Sequence, residues 1–99
     1  MTIQKELKGT ELKIVLAGRL DTMTSPELEA ELKTTLDGVE TLRIDLAALD
    51  YVSSAGLRVL LSAQKLMNRQ GGTMMLTNVC EAIMEIFEVT GFVDILTIV

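Results

Sequence analysis

Hydrophobic and polar residues alternate along two segments of the chain, which is the pattern of a strand with one buried face. In residues 11–18 (ELKIVLAG) and in residues 41–49 (TLRIDLAAL), Leu or Ile occupies every second position from the second residue to the sixth. Residues 2–7 are expected to pair with the first segment through a turn at Gly9, a residue suited to tight hairpins. The apolar run 73–78 predicts a further short strand. The chain therefore starts with a predicted hairpin and contains at least two more strands.

In the segment that follows Gly18, Leu28, Leu32 and Leu36 recur at every fourth position, which predicts an amphipathic helix. Thr24 or Ser25 can cap this helix, and Pro26 suits its first turn. Thr24 and Glu27 also match a capping box, in which the two side chains bond each other's backbone N–H groups. Gly38 is a suitable stop for the helix.

Two more helices are predicted at residues 54–69 and 81–92, the second of which can end at Gly91. Residues 93–99 (VDILTIV) predict a final strand. The element order is then ββαβαβαβ. Strands that alternate with helices favour parallel neighbours joined by right-handed crossovers, with the hairpin as an antiparallel edge. We expect an α/β fold with a mixed, mostly parallel sheet and helices packed against it.

The composition fits a single domain spanning residues 1–99, because a chain of 99 residues has material for only one core. Only 3% of the residues are aromatic, so we expect a core of Leu, Ile, Val and Met. No apolar run approaches the roughly 20 residues of a membrane-spanning helix, and the N-terminal residues do not resemble a secretion signal. We therefore expect a cytoplasmic protein without membrane insertion.

The charged and nucleophilic residues argue against several classes of function. A net charge of −5 disfavours direct nucleic-acid binding. The chain has no histidine, which removes the commonest general base, and we expect neither an enzyme nor a cofactor. Cys80 is the only cysteine, so it has no disulfide or zinc partner, and we expect it to be buried as a packing residue.

The junction between the third strand and the second helix, YVSSAGLRVLL (51–61), places Ser53 and Ser54 at the start of the helix. One interpretation is helix capping, for which one serine suffices. The other is a phosphorylation site, since the positive end of the helix dipole favours an anion and a small first turn leaves the hydroxyl accessible. Tyr51 is interpreted either as a half-buried ring at the strand end or as a contact residue.

Three motifs resemble those of the STAS domain family, which includes bacterial anti-sigma factor antagonists. They are GRLD (18–21), DYVSSAGLRVLL (50–61) and GG (71–72), and the resemblance extends from about residue 10 to residue 98. The element order of that family agrees with the order predicted above. Family members often carry an aspartate before the phosphorylated serine, whereas this chain has Ser53 there.

The resemblance implies a switch. The unphosphorylated protein would bind an anti-sigma factor that is also a serine kinase, and so release a sigma factor. Phosphorylation of Ser54, or of the second candidate Ser53, would end that binding, and a phosphatase would reverse it. Asp21 matches an acidic position implicated in partner contact, and an equally good interpretation is a carboxylate that holds a turn or caps a helix. The expected partner-binding residues are Asp21, Thr22, Tyr51, Ser53, Ser54, Gly56, Leu57 and Arg58.

A second interpretation of the resemblance requires no phosphate. The chain would then be a STAS docking subunit of another assembly, such as a stress-signalling complex or a phospholipid-transport ATPase. The same helix start would contact the partner in both cases.

Overall fold

The computed structural model describes residues 1–99 and contains one four-stranded sheet with three α-helices. The elements in chain order are β1 Thr2–Lys8, β2 Glu11–Leu20, α1 Ser25–Thr35, β3 Thr41–Val52, α2 Ser54–Arg69, β4 Thr73–Thr77, α3 Glu81–Thr90 and the 3-10 turn Phe92–Asp94. The strand order in the sheet is β1-β2-β3-β4. β1 runs antiparallel to β2, and the other neighbouring pairs are parallel. The predicted mixed sheet and α/β class are confirmed.

The strands and helices share one apolar core of 23 buried residues. Alternate residues of β2 and β3 enter it, as the strand periodicity predicts. α1 contributes Leu28 and Leu32, followed by Leu36 just beyond its end, and all three are almost fully buried. α1 packs beside α2, and Phe87 of α3 is completely buried. The core is aliphatic with one aromatic ring, in agreement with the composition.

The N-terminus of α1 differs from the predicted capping box. Thr24 occupies the N-cap position, but its side chain makes no capping hydrogen bond to the helix. The Thr24 hydroxyl instead donates to the backbone carbonyl of Arg19 at 2.7 Å. Asp21 accepts hydrogen bonds from the backbone N–H groups of Met23 and Thr24, so the turn before α1 is held by this aspartate.

β3 is longer than the alternation predicts and runs as far as Val52. Its register with β2 shifts twice, because β3 contains an extra residue between the pairs Val15–Asp45 and Ala17–Ala48, and another before Tyr51. Each extra residue breaks the period of two that marks a strand in sequence. β3 therefore continues past the predicted segment 41–49 as far as Val52.

The predicted final strand is reduced to a single parallel bridge between Leu76 and Ile98. Phe92–Asp94 forms a 3-10 turn directly after Gly91, whose left-handed backbone (φ +79°) ends α3. The backbone N–H of Leu76 donates to the carbonyl of Thr97, and the N–H of Val99 donates to the carbonyl of Leu76. The tail therefore lies beside β4 but is too short to form a ladder.

The predicted burial of Cys80 is wrong, because its side chain is exposed. Cys80 lies at the N-cap position of α3, just outside the helix. No helix of the structure combines the length and the hydrophobicity needed to cross a membrane.

Candidate functional site

The carboxyl ends of β2 and β3 and the first turn of α2 meet at one end of the sheet. Arg19 and Leu20 at the end of β2 pair with Tyr51 and Val52 at the end of β3. The backbone N–H of Ser53 then donates to the carbonyl of Leu20 at 2.9 Å. This bond ties the start of α2 to the strand that leads into the Asp21 turn, so the two motifs singled out in sequence lie next to each other.

Ser53 is the N-cap of α2. Its backbone is extended (φ −92°, ψ 175°), and its Oγ accepts a hydrogen bond from the backbone N–H of Gly56 at 3.3 Å. The hydroxyl is therefore occupied by one of the N–H groups that the first helical turn leaves unpaired.

Ser54 is the first helical residue and has a different environment. Its side chain is exposed, and its hydroxyl makes no hydrogen bond within the chain. The first turn of α2 contains no acidic residue that would repel an anion there. The geometry thus assigns capping to Ser53 and leaves the Ser54 hydroxyl free.

Gly56 allows the first turn of α2 to approach β2 closely. A Cβ atom on Gly56 would lie 2.7 Å from the Leu20 side chain, 2.8 Å from the Leu20 carbonyl oxygen and 2.9 Å from the Val52 side chain. Leu57, the next residue, is almost fully buried. Gly56 and Leu57 are buried and fix the position of the helix start, whereas Ser54 is exposed.

The Asp21 carboxylate organises the turn between β2 and α1. The backbone N–H of Thr24 is the main cause of a pKa below the ordinary value of 3.8. Partial burial opposes that shift, while the Met23 N–H, the Thr24 hydroxyl and the Arg19 charge add to it. Nε of Arg19 lies 3.7 Å from an Asp21 oxygen. The turn is therefore fixed around an ionised aspartate.

Arg19 and Tyr51 form a stacked pair on the adjacent strand ends. The guanidinium carbon of Arg19 lies 4.3 Å from the centre of the Tyr51 ring, which is a cation–π contact. Tyr51 is 37% exposed, so the ring is half-buried and also offers a surface to a partner. Both interpretations of this residue made from the sequence are compatible with its position.

Comparison with known proteins identifies the family. A family model described as "Mlab, STAS domain" matches residues 3–97, which is nearly the whole chain. The chain belongs to the STAS domain family. It is 32% identical over 100 residues to the anti-sigma-B factor antagonist of Bacillus subtilis strain 168, a match that covers 99% of this chain and 92% of that protein. By homology this STAS domain falls among the anti-sigma factor antagonists.

Solved structures show the same fold. The anti-sigma factor antagonist SpoIIAA in its unphosphorylated form superposes with a TM-score of 0.78 at 19% identity, covering 99% of this chain and 87% of that chain. The Bacillus cell fate determinant SpoIIAA in the phosphorylated form gives a TM-score of 0.78 at 20% identity, covering 99% and 91%. The STAS fold of this chain is therefore shared with a protein that has been solved in both states.

Met23 is a residue of the site that the sequence did not single out. Its side chain is 86% exposed in the turn that Asp21 holds, beside the exposed Thr22. An isolated methionine carries no periodicity, so only its place between Asp21 and the α1 start would have marked it. We call the exposed residues at this end of the STAS domain, together with the partly buried Asp21, the docking surface. Its members are Arg19, Asp21, Thr22, Met23, Tyr51 and Ser54.

Arg58 lies one turn after Ser54 on the exposed side of α2. It lines a groove between the first turns of α1 and α2, together with Thr22, Pro26 and Glu29. The chain has no group of three or more acidic or cysteine side chains that could hold a metal ion. What this end of the STAS domain offers is a free hydroxyl, a rigid turn and exposed Met and Tyr side chains.

Proposed function

We propose that this STAS domain is an anti-sigma factor antagonist that is switched by phosphorylation of Ser54. The observation that carries the proposal is the division between the two serines. Ser53 supplies the helix cap, so Ser54 can be modified without loss of a hydrogen bond that stabilises the fold. In its unphosphorylated form the protein binds an anti-sigma factor that is also a serine kinase, and a sigma factor is released.

The docking surface suits such a partner. Met23 and Tyr51 provide apolar contact area, of the residue types that dominate protein interfaces. The Asp21 hydrogen bonds fix the backbone that carries Met23, and the Arg19–Tyr51 stack orients the Tyr51 ring before binding. A partner therefore loses little entropy in ordering this backbone and this ring.

Phosphorylation changes the charge at the centre of this surface. The Ser54 Oγ attacks the γ-phosphorus of ATP, ADP leaves, and the hydroxyl proton passes to a base on the kinase. The product carries about −1.5 to −2 charge at neutral pH, which must be desolvated if the same partner is to dock. The helix dipole tolerates this charge at the first helical position, so the fold persists while the affinity falls.

The test is phosphorylation in vitro. The protein and its Ser53→Ala and Ser54→Ala variants are incubated with Mg-ATP and each purified anti-sigma factor kinase of the source genome, and intact masses are recorded. We expect one added phosphate in the wild type and in Ser53→Ala, and none in Ser54→Ala. A phosphate that is lost only in Ser53→Ala would move the switch to Ser53.

The partner interaction is tested with the same kinases. Ser54→Ala should bind as the wild type does, whereas Ser54→Asp should bind more weakly. Tight binding by Ser54→Asp would count against the charge mechanism. If no kinase adds phosphate, the remaining function is a STAS docking subunit that works without modification, which the family description "Mlab, STAS domain" also accommodates.

A further inference from the structure

The exposed side of α2 carries positive charge only. Arg58, Lys65 and Arg69 are exposed, the helix contains no acidic residue, and none of these three cations forms an ion pair within the chain. The three cations lie on the same side of the helix as Ser54, because their spacings of 4, 11 and 15 residues are close to whole helical turns.

Arg58 is the only one of these cations within reach of Ser54. Side chains four residues apart on a helix have Cβ atoms about 5–6 Å apart. Helical side chains also lean toward the N-terminus, which brings the first turn of α2 within reach of the Arg58 guanidinium. Lys65 and Arg69 lie farther along the axis, by about 16 and 22 Å from Ser54 at 1.5 Å per residue.

The one acidic residue that lines the groove with Arg58 already has another partner. Glu29, which lines the same groove, lies 3.2 Å from the Lys33 ammonium. The Arg58 guanidinium is therefore available for a new anion.

We propose that Arg58 is a positioning residue that binds the phosphate on Ser54. The inference rests on the proposed phosphorylation of that serine. Phosphate and guanidinium form paired hydrogen bonds, so the phosphate lies along α2 toward the groove beside α1. Phosphorylation then changes two groups at once, since it adds a charge at Ser54 and removes Arg58 from contact with a partner.

The test uses protein with phosphoserine incorporated at position 54 by genetic code expansion, so that no kinase is needed. Titration followed by 31P NMR gives the pKa of the second phosphate ionisation. Loss of the cation in Arg58→Ala should raise this pKa by about half a unit, the size expected of an exposed ion pair. Arg58→Lys should recover part of the difference, because it keeps the charge but not the planar fork.

Lys65→Ala is the matched control, with the same charge lost from the same side of the same helix. Its phosphate pKa should stay within about a tenth of a unit of the wild type at 0.15 M salt, because about 16 Å is twice the Debye length. The difference between Arg58→Ala and the wild type should shrink in concentrated urea, where the helical spacing is lost. Equal shifts in Arg58→Ala and Lys65→Ala, or a full shift in urea, would overturn the proposal.

The experiments distinguish a failure of the phosphorylation switch from a failure of the role proposed for Arg58. If the 31P titration shows the pairing but no kinase phosphorylates Ser54, the switch fails, and Arg58 is shown only to bind a phosphate that is placed at position 54. If Ser54 is phosphorylated by a kinase but the titration is unchanged in Arg58→Ala, the switch stands and the role of Arg58 is wrong.

Discussion

Ser53 and Ser54 have the same side chain, and the backbone alone gives them different surroundings. Ser53 is extended and turns its Oγ toward the Gly56 N–H, whereas Ser54 is helical and its Oγ faces solvent. A serine with no hydrogen bond to lose can be phosphorylated at little cost to the fold. At the residue scale, the candidate switch depends on this difference of one position.

Substitution of the two serines should separate capping from accessibility. Ser53→Ala removes the cap of α2 and should lower the free energy of unfolding by about 1 kcal/mol. Ser54→Ala removes no hydrogen bond within the chain and should leave that free energy within about 0.5 kcal/mol of the wild type. Urea denaturation followed by circular dichroism measures both, and equal losses would show that the serines share the cap.

Asp21 should make the stability depend on pH in the acid range. Its pKa is lower in the folded chain than in the unfolded chain, chiefly because the Thr24 N–H donates to the carboxylate. The stabilisation is therefore complete above the ordinary pKa of 3.8 and disappears as the pH falls through the folded value. Asp21→Asn should be less stable than the wild type at pH 7, and the two denaturation curves should converge toward pH 2. A constant difference across that range would contradict this role.

At the element scale, β3 shows why a strand can be missed in sequence. Leu46, Leu49 and Val52 are all buried, but they are three residues apart rather than two. Pairing with β2 absorbs the extra residues as bulges, which no local pattern reveals. The added length matters for the candidate site, because it places Tyr51 on a strand beside Arg19.

Substitution of Gly56 tests how closely the start of α2 must pack against β2. In an ordinary helix Gly→Ala is stabilising by up to about 1 kcal/mol. Here the added methyl would lie 2.7 Å from the Leu20 side chain and 2.8 Å from its carbonyl oxygen, so Gly56→Ala should destabilise by about 1–3 kcal/mol. Ser62→Ala, at an exposed site of the same helix, is the control and should change the unfolding free energy little. Greater thermal stability in Gly56→Ala would show that the helix start can shift.

At the scale of the whole molecule, the C-terminal tail depends on packing rather than on strand pairing. Only the Leu76–Ile98 bridge links it to the sheet, yet Leu96 is buried in the common core. Four exposed apolar side chains lie in the same region: Val89, Val93, Ile95 and Val99. Hydrophobicity alone therefore does not distinguish the residue that anchors the tail from its neighbours.

Two neighbouring substitutions measure the contribution of the tail. Leu96→Ala should lower the free energy of unfolding by about 2–5 kcal/mol, because Leu96 is only 5% exposed. Ile95→Ala should cost less than about 1 kcal/mol, because Ile95 is 49% exposed. Chemical denaturation of both variants provides the comparison. Similar losses would mean that the tail is held by its backbone contacts and not by Leu96.

The sequence by itself determined the features that depend on neighbouring residues. The Gly9 hairpin, the limits of α2 at 54–69 and the stop at Gly91 all agree with the structure, because turn conformation and helical periodicity are local properties. The STAS family was also evident from its motifs. These observations were sufficient for the α/β class and for the position of the serine pair.

Only the tertiary structure decided which residues are free. The length of β3 and the fate of residues 93–99 each depend on contacts between segments distant in sequence, and the exposure of Cys80 and the capping bond of Ser53 are visible only in the folded chain. Strand pairing with β2 offsets the energetic cost of two bulges in β3. The close approach of Gly56 to Leu20 fixes the position at which α2 starts. At these positions long-range packing overrides the structural preference of the local sequence. The result therefore cannot be predicted from neighbouring residues.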